Sequence, residues 1–280
     1  MPKFFCNFVA EMGGFSFLCL GSGSSGNCFY FQNSEGAFLI DAGIGIRKLV
    51  KYFTEYGISF SNIKAVFLTH DHIDHIRSAY SLATKYNLPI YATEGVWRGI
   101  DVNPVICQKI PVAMRNIIRK NEAINFLGWE LTPFTVPHDS NDNVGYFIAY
   151  NDVRIAHITD DGSMTDEIDS FIEKANHLII ESNYDEDMLR TGPYPYPLKK
   201  RISSLNGHLS NHEATETICR HCKHLSHVWL CHISANNNTP QKALNEVMSG
   251  LKRNKINESD YPEIVPLNRT SPTGFFNLSK

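Results

Sequence analysis

The chain has 280 residues, a formal net charge of −3, and 42% hydrophobic and 20% charged residues. This composition is typical of a globular protein, and the acidic balance excludes bulk attraction to nucleic acid while allowing a local basic patch. The sequence contains no apolar run of roughly 18 residues, so no membrane span is predicted. With no signal peptide before them, the 7 scattered cysteines are expected to be reduced thiols in a cytoplasmic protein.

The first residues, 1–14, are mildly apolar and match no targeting pattern. We expect them to form a flexible extension, in which either Met1 or Met12 starts translation. Residues 15–280 are expected to form a single domain, because no linker-like segment interrupts them.

Short apolar runs alternate with amphipathic ones along the rest of the chain. The predicted strands are 15–20, 28–32, 37–41, 65–69, 89–92, 124–126, 130–136, 144–149, 153–159, 178–181, 228–232 and a last one near 275–277. The predicted helices are 46–56, 74–86, 164–174, 197–205, 211–221 and 241–248, and Ser210 with Glu213 has capping-box spacing at the start of the fifth. This order predicts an α/β fold with two sheets inside and helices outside.

Residues 69–75 read Thr-His-Asp-His-Ile-Asp-His and follow the apolar run 65–68. A turn from a strand into a helix normally uses Gly, Ser or Asn. Three imidazoles and two carboxylates in such a turn point instead to a pair of divalent metal ions.

Three further ligand-type residues follow predicted strands in the same way. They are His138 after 131–136, Asp160 after 153–159, and His232 after 228–231. Strand ends on one side of a sheet converge, so these residues can meet although they are far apart in sequence.

Imidazole and carboxylate ligands suit zinc, manganese or iron. Two divalent ions with two carboxylates and one bridging hydroxide leave a formal charge of about +1, which attracts an anionic substrate. A metal-bound water has a pKa near 7 and supplies a nucleophile at neutral pH.

The ordered set of short motifs resembles the metallo-β-lactamase superfamily. Residues 69–75 are similar to its HxHxDH signature, and Leu-Ile-Asp-Ala-Gly at 39–43 is similar to its first motif. The resemblance to the YycJ/WalJ subfamily rests on Gly-Ser-Gly-Ser-Ser-Gly-Asn at 21–27, Glu-Ser-Asn at 181–183, Gly-His-Leu-Ser-Asn at 207–211, and His-Ile-Ser at 232–234 with Asn237 and Asn238. It spans about 15–247 and implies a four-layer αββα sandwich and a DNA exonuclease.

The resemblance also implies a role for each candidate ligand. One metal would be held by His70, His72 and His138, the other by Asp74, His75 and His232, with Asp160 bridging them. Asp74 thereby counts among the catalytic residues. Asp41 is expected behind the ligands, where it accepts a hydrogen bond that orients them.

Glu181 and His208 are expected to assist the chemistry. Breaking a phosphodiester requires protonation of a poor leaving oxygen, and a carboxylate that orients an imidazolium makes a good general acid. The tRNA-processing ribonucleases of the superfamily carry such a pair. We therefore predict His208 as the proton donor and Glu181 as its orienter. The alternative is a capping or ion-paired Glu181 and a His208 that only shapes a turn.

Substrate contacts are predicted in two segments and at one further residue. The 21–27 loop, with Ser25 and Asn27, offers backbone N–H groups to an anion or forms a plain hairpin turn. A basic segment would bind phosphates through Arg190, Lys199, Lys200 and Arg201 and stack bases on Tyr184, Tyr194 and Tyr196, or would simply be a solvated helix start. Asn237 is a further candidate.

Two histidine- or cysteine-containing features favour a structural role. Cys219 and Cys222 share a helix face and are expected to pack as small apolar residues rather than to form a zinc finger. His157 lies in an apolar strand and is expected to be a packed core residue.

The sequence therefore predicts a dinuclear metal-dependent phosphodiesterase acting on nucleic acid, with DNA favoured. In this mechanism a metal-bridging hydroxide attacks phosphorus and His208 protonates the leaving oxygen. The alternative is a thioester or lactone hydrolase that uses the same metal site. Complete ligands argue against an inactive scaffold, Asp160 against a β-lactamase with a Cys ligand, and His72 against a flavodiiron oxidoreductase. Oligomeric state is left open.

Overall fold

The computed structural model describes residues 14–106 and 108–278. The predicted flexible extension lies outside the described residues except for Gly14, which is buried. The described chain forms two compact units. The first unit runs to Trp129 and also contains Ser140–Asp142 and the chain from Asn268, while the second contains Glu130–Asp139 and Asn143–Leu267.

The described residues form fourteen strands and nine α-helices. The strands are β1 Ser16–Gly21, β2 Cys28–Asn33, β3 Gly36–Ile40, β4 Ile63–Phe67, β5 Ile90–Thr93, β6 Arg115–Ile118, β7 Ile124–Phe126, β8 Trp129–Thr135, β9 Val144–Tyr150, β10 Val153–Ile158, β11 His177–Glu181, β12 His227–Cys231, β13 Glu263–Pro266 and β14 Thr273–Asn277. The helices are α1 Ile46–Tyr56, α2 Ile73–Ile76, α3 Ala79–Lys85, α4 Glu94–Val102, α5 Asp166–Lys174, α6 Glu186–Thr191, α7 Tyr196–Ile202, α8 Asn211–His221 and α9 Pro240–Arg253. Three 3₁₀ turns lie at Phe60–Asn62, Val112–Met114 and Glu258–Asp260.

The sheet of the first unit has the order β14-β1-β2-β3-β4-β5-β6. Its first four strands pair antiparallel and the strands from β3 to β6 pair parallel. Alternate residues of one face, such as Leu18, Leu39 and Val66, form a core with the buried side of α1, including Leu49 and Phe53. Helices therefore cover one face of this sheet, as the period of the sequence predicts.

The second unit repeats this design with a different strand order. Its strands run β13-β12-β11-β10-β9-β8, antiparallel from β8 to β10 and parallel from β10 to β13. Leu178 of β11 and Val228 of β12 pack with Ile172 of α5, Ile218 of α8 and Val247 of α9. The parallel strands place several strand ends at one edge of the sheet, where candidate site residues follow them.

Two predicted helices have the observed bounds, 46–56 and 211–221. The capping box is confirmed, because the Ser210 side chain accepts from the Glu213 backbone and the Glu213 side chain accepts from the Ser210 backbone. The single helix predicted at 74–86 is wrong: the chain forms α2 and α3 instead. Ser78 separates them, because its N–H donates to the Ala42 carbonyl at 2.8 Å and its hydroxyl donates to the Ile44 carbonyl at 2.5 Å.

Four elements were not predicted: the strands β6 and β13 and the helices α4 and α6. His157 is fully buried in β10, and Cys219 and Cys222 are buried beside α9. No described helix is both long enough and apolar enough to cross a membrane.

Candidate functional site

In the first unit, the carboxylate of Asp41, which follows β3, contacts the start of the 69–75 turn and one of the candidate ligands. This fully buried carboxylate accepts from the Thr69 N–H at 2.9 Å, from the Thr69 hydroxyl at 2.9 Å and from Nδ1 of His75 at 2.7 Å. Burial raises the pKa of Asp41, and the contacts with His75 and Thr69 oppose that shift. Asp41 therefore holds the start of the 69–75 turn and orients one of its imidazoles.

Three imidazoles of this turn lie against one another. The ring centroids of His70 and His75 are 4.0 Å apart, and those of His70 and His72 are 4.7 Å apart. Nδ1 of His70 lies 2.9 Å from the hydroxyl oxygen of Thr69. Since that hydroxyl donates to Asp41, the nitrogen donates to it, and Nε2 of His70 is left as the ligand atom.

The 21–27 loop is fixed against the same turn by backbone contacts. The Asn27 N–H donates to the Asp74 carbonyl at 2.8 Å, and the Gly43 N–H donates to the Asn27 carbonyl at 2.8 Å. Nδ2 of Asn27 lies 2.8 Å from Nε2 of His75. Asn27 is fully buried, so in this structure it contacts a candidate ligand directly.

Gly43 permits this close approach, because a Cβ there would lie 1.5 Å from the Asp74 carbonyl oxygen. We expect Gly43→Ala to lose about 1–3 kcal/mol of unfolding free energy, since backbone must move to admit the methyl group. Chemical denaturation measures this loss. Gly45→Ala is the matched control, since nothing lies within 4 Å of its Cβ position and its φ of −57° suits alanine. Equal stability of the two variants would contradict the prediction.

In the second unit, Glu181 at the end of β11 organises the site. One oxygen lies 2.9 Å from Nδ1 of His208 and 2.7 Å from Nδ1 of His232, and the other accepts from the Asp161 N–H at 2.8 Å. Nδ2 of Asn183 also donates to Glu181, at 3.1 Å. Glu181 is fully buried and is saturated as an acceptor, so it orients two imidazoles at once.

The charges of this cluster are mutually dependent. Burial alone would raise the pKa of Glu181, but His208 and His232 lower it to about 2. Burial would lower the pKa of His208, yet the Glu181 carboxylate and Asp160 raise it. The geometry thus favours a carboxylate at Glu181 and a protonated imidazole at His208.

Asp160 and His138 complete this group. The carboxylate of Asp160 lies 3.3 Å from Nδ1 of His232 and 3.8 Å from Nε2 of His138. Nδ1 of His138 lies 2.9 Å from the Gly207 carbonyl oxygen, to which it donates. Ligand-type atoms of Asp160, Glu181, His208 and His232 all lie within 4.8 Å of one another.

Three of the candidate residues have a left-handed backbone. The φ angles are 62° at Asp41, 51° at Asp160 and 49° at His232. Each follows a strand directly or within two residues. Non-glycine residues are uncommon in this region, and such conformations concentrate at functional sites.

The donor set fits divalent metal ions. Nδ1 of four histidines contacts an oxygen: Asp41 for His75, Thr69 for His70, Gly207 for His138 and Glu181 for His232. Metal-binding histidines characteristically use one ring nitrogen for such a contact and present the other to the metal.

The predicted substrate contacts fall into three environments. Lys199, Lys200 and Arg190 line a pocket of 430 Å³ together with Tyr184 and Tyr196. Arg190 is also ion-paired with Asp187, and Arg201 with Asp139. Ser25 is exposed, whereas Asn237 is 1% exposed and its side chain has no hydrogen-bond partner among the described residues.

Sequence reasoning gave no role to several residues that hold these loops. The carboxylate of Asp71, inside the 69–75 turn, accepts from Nδ2 of Asn141 at 2.7 Å. In the second unit, Asn211 accepts from the Ser182 hydroxyl at 2.6 Å and from Nδ2 of Asn238 at 2.7 Å. The motifs of the YycJ/WalJ resemblance contain Ser182, Asn211 and Asn238, and their contacts are structural.

A model of the beta-lactamase superfamily domain matches residues 37–233. The chain therefore belongs to this superfamily and is an α/β hydrolase of the metallo-β-lactamase fold. It is 32% identical to exodeoxyribonuclease YycJ of Bacillus anthracis, over 93% of this chain and 98% of the relative. It is also 32% identical to exodeoxyribonuclease WalJ of Streptococcus pneumoniae, over 82% and 86%. These matches place it in the YycJ/WalJ group.

Among solved structures, the chain resembles Zn²⁺-bound PqqB from Methylobacterium extorquens, with a TM-score of 0.70 and 16% identity over 93% of this chain and all of that one (100%). It also resembles the metallo-beta-lactamase fold protein YhfI from Bacillus subtilis, with a TM-score of 0.68 and 17% identity over 93% and 99%. At these identities the likeness shows the fold.

Proposed function

We propose that this hydrolase is a dinuclear metal-dependent phosphodiesterase that degrades DNA from an end. The observation that carries the proposal is the bonding of Glu181 to both His208 and His232. One carboxylate thereby orients a candidate metal ligand and a second imidazole suited to proton transfer. The names of the YycJ and WalJ relatives support DNA as the substrate.

The metal ligands in this proposal are those that the family resemblance implies. His70, His72 and His138 would hold one ion, Asp74, His75 and His232 would hold the other, and Asp160 would be a ligand of both. Zinc and manganese suit these donors, and iron is compatible with them. When bound, the two ions supply a nucleophile at neutral pH and neutralise charge on the phosphate. Asp41 and Glu181 keep the imidazoles in the orientation that binding requires.

His208 protonates the leaving oxygen. Its Nδ1 contacts Glu181 at 2.9 Å, so the proton for transfer is carried on Nε2. The side chain of His208 is 16% exposed, so it is not sealed off from a substrate. The released sugar oxygen is a poor leaving group, and protonation as the bond breaks lowers the barrier.

The pocket beside α7 is suited to the polynucleotide chain. Lys199, Lys200 and Arg190 offer charge to backbone phosphates, and Tyr184 and Tyr196 offer ring faces to bases. Arg201, Ser25, Asn27 and Asn237 complete the proposed substrate contacts.

The decisive assay uses protein reconstituted with Zn²⁺ or Mn²⁺. Substrates are end-labelled single- and double-stranded DNA and RNA, a thioester and a small phosphodiester. We expect DNA to be shortened from an end, the thioester to stay intact, and Asp160→Asn to abolish cleavage. Asp152→Asn, on an exposed turn, is the matched control. Thioester cleavage without nuclease activity would favour the alternative, a small-molecule hydrolase.

A further inference from the structure

A cleft of 570 Å³ in the first unit has a strongly basic lining. Arg47, Lys48, Arg77 and Arg269 line it, and no described acidic residue does. Ser25 is the one predicted substrate contact among its lining residues. A volume in this range accommodates a nucleotide-sized ligand.

Among the described residues, no carboxylate pairs with the cations of this cleft. Nζ of Lys48 donates to the Thr270 carbonyl at 2.7 Å, and Arg77 donates to the Ser25 carbonyl at 3.0 Å. Nε of Arg269 is buried and has no hydrogen-bond partner among the described residues. Carbonyl oxygens carry no net charge, so the described residues leave the four positive charges of the cleft uncompensated.

Other arginines of the same unit have carboxylate partners. Arg115 pairs with Asp101 at 2.8 Å, and Arg98 with Glu94 at 3.7 Å. Four like charges in one cleft repel one another and lower stability unless an anion binds there. The cleft arginines lack the carboxylate partners that Arg98 and Arg115 have, and this difference indicates that an anionic ligand binds in the cleft.

Backbone donors add to the charges. Helix α1 begins at the cleft, its N-cap residue Gly45 makes no side-chain cap, and its first turn contains no acidic residue. The N–H groups of a helix start favour an anion, and phosphate is a common occupant. Gly21 and Gly26 also line the cleft, so backbone approaches its interior closely.

The cleft lies next to the candidate ligands of its own unit. Ser25 and Gly26, which line it, immediately precede Asn27, and Asn27 contacts His75 and the Asp74 carbonyl. Residues 25–27 therefore connect an anion in the cleft to the 69–75 turn.

We propose that this cleft binds a phosphate monoester and that it holds the terminal phosphate of the polynucleotide during cleavage. A phosphate monoester carries between one and two negative charges and three acceptor oxygens, whereas an internal phosphodiester carries one charge. Four unneutralised cations and a helix start match the monoester better. The assignment to a polynucleotide end rests on the proposed nuclease function, while the phosphate site does not.

The phosphate site is tested by calorimetric titration of the metal-loaded protein. The probes are inorganic phosphate and a nucleoside monophosphate, with the unphosphorylated nucleoside for comparison. We expect R77Q/R269Q to weaken phosphate binding at this site at least tenfold, since charge-assisted hydrogen bonds are lost. R98Q removes the same charge from an exposed ion pair and is expected to bind as wild type. Phosphate bound at the metals is common to all variants.

Equal phosphate affinity in wild type and R77Q/R269Q would overturn the site. Thermal melts establish that the variants fold, and R47Q is a second test, because Arg47 is exposed and its substitution leaves the interior intact.

The source of the phosphate is tested with internally labelled oligonucleotides that end in a phosphate or in hydroxyls. For one of the two ends, we expect the wild-type kcat/KM to be about tenfold or more higher when that end carries a phosphate than when it carries a hydroxyl. R77Q/R269Q is expected to lose this preference. Phosphate binding that depends on Arg77 and Arg269, without any end preference, would assign the cleft to free phosphate or a mononucleotide and overturn the assignment to the substrate end. If no polynucleotide is cleaved, the nuclease proposal fails and the titration still decides the phosphate site.

Discussion

His208→Ala is expected to keep the full metal content and to lose about 10²–10⁴-fold in turnover on DNA. The imidazole contacts Glu181 through Nδ1 and is the proposed source of the proton for the leaving oxygen. Removal of this proton donor slows bond breaking without removing a ligand. Metal analysis and single-turnover kinetics on the same preparation measure both quantities.

A substrate with an activated leaving group separates proton donation from a general loss of structure. The p-nitrophenolate group of a p-nitrophenyl phosphodiester leaves without protonation. His208→Ala is therefore expected to slow cleavage of this substrate far less than cleavage of DNA. His212→Ala is the matched control, since this histidine lies nearby in sequence with a side chain that is 54% exposed. Loss of one metal equivalent in His208→Ala would instead make this residue a ligand and refute its assignment as proton donor.

Glu181→Gln is expected to lower metal affinity by about 10–100-fold, because Nδ1 of His232 loses its carboxylate partner. It should also cost about 3–5 kcal/mol of unfolding free energy, the range for removal of one member of a buried charged pair. The new amide cannot accept at both positions, and it faces the N–H groups of Asp161 and Leu209. Chelator competition and urea denaturation measure the two effects.

Glu167→Gln serves as the control for Glu181→Gln. Glu167 is half-buried and accepts the backbone N–H of Thr135 at 3.3 Å, which glutamine can also accept. We expect the metal affinity and the unfolding free energy of the Glu167→Gln protein to match those of wild type closely. If Glu181→Gln behaved like Glu167→Gln, the carboxylate would have no orienting role.

An element of the fold was predictable where its local sequence pattern was enough to define it, without contacts to residues remote in sequence. The apolar period of α1 is regular, and a glycine in the left-handed conformation ends the helix at residue 57, so its C-terminal end was visible in the sequence. The prediction at 74–86 failed because Ser78 bonds to Ala42 and Ile44, which are remote in sequence. No window of local residues contains that information.

Helix α4 was missed because Gly95 and Gly99 suggest a turn rather than a helix. The structure gives each glycine a reason: a Cβ at Gly95 would lie 2.6 Å from Asp142, and one at Gly99 would lie 2.1 Å from the Asp71 carboxylate. Thr93 caps the helix by accepting from the Val96 N–H. Close packing against Asp142 and Asp71 therefore requires the two glycines, and these glycines made the helix unrecognisable in the sequence.

The candidate site shows the same division. The ends of the predicted strands made His138, Asp160 and His232 candidates, because a ligand-type side chain that follows an apolar strand can be recognised in the sequence. The spacing of residues in the chain could not show that Glu181 contacts two imidazoles, or that Arg77 and Arg269 line one cleft. Those relations depend on the folding of separate segments.

The left-handed backbone at Asp41, Asp160 and His232 restricts how this site can change during evolution. Asparagine, aspartate and glycine tolerate that conformation, whereas β-branched residues such as valine or isoleucine are strongly disfavoured there. A lineage in which one of these three side chains is replaced is therefore expected to drift first to Asn or Gly. Descendants of such a chain would retain the shape of the loops long after losing their chemistry, so inactive relatives should be recognisable by backbone conformation rather than by their ligands.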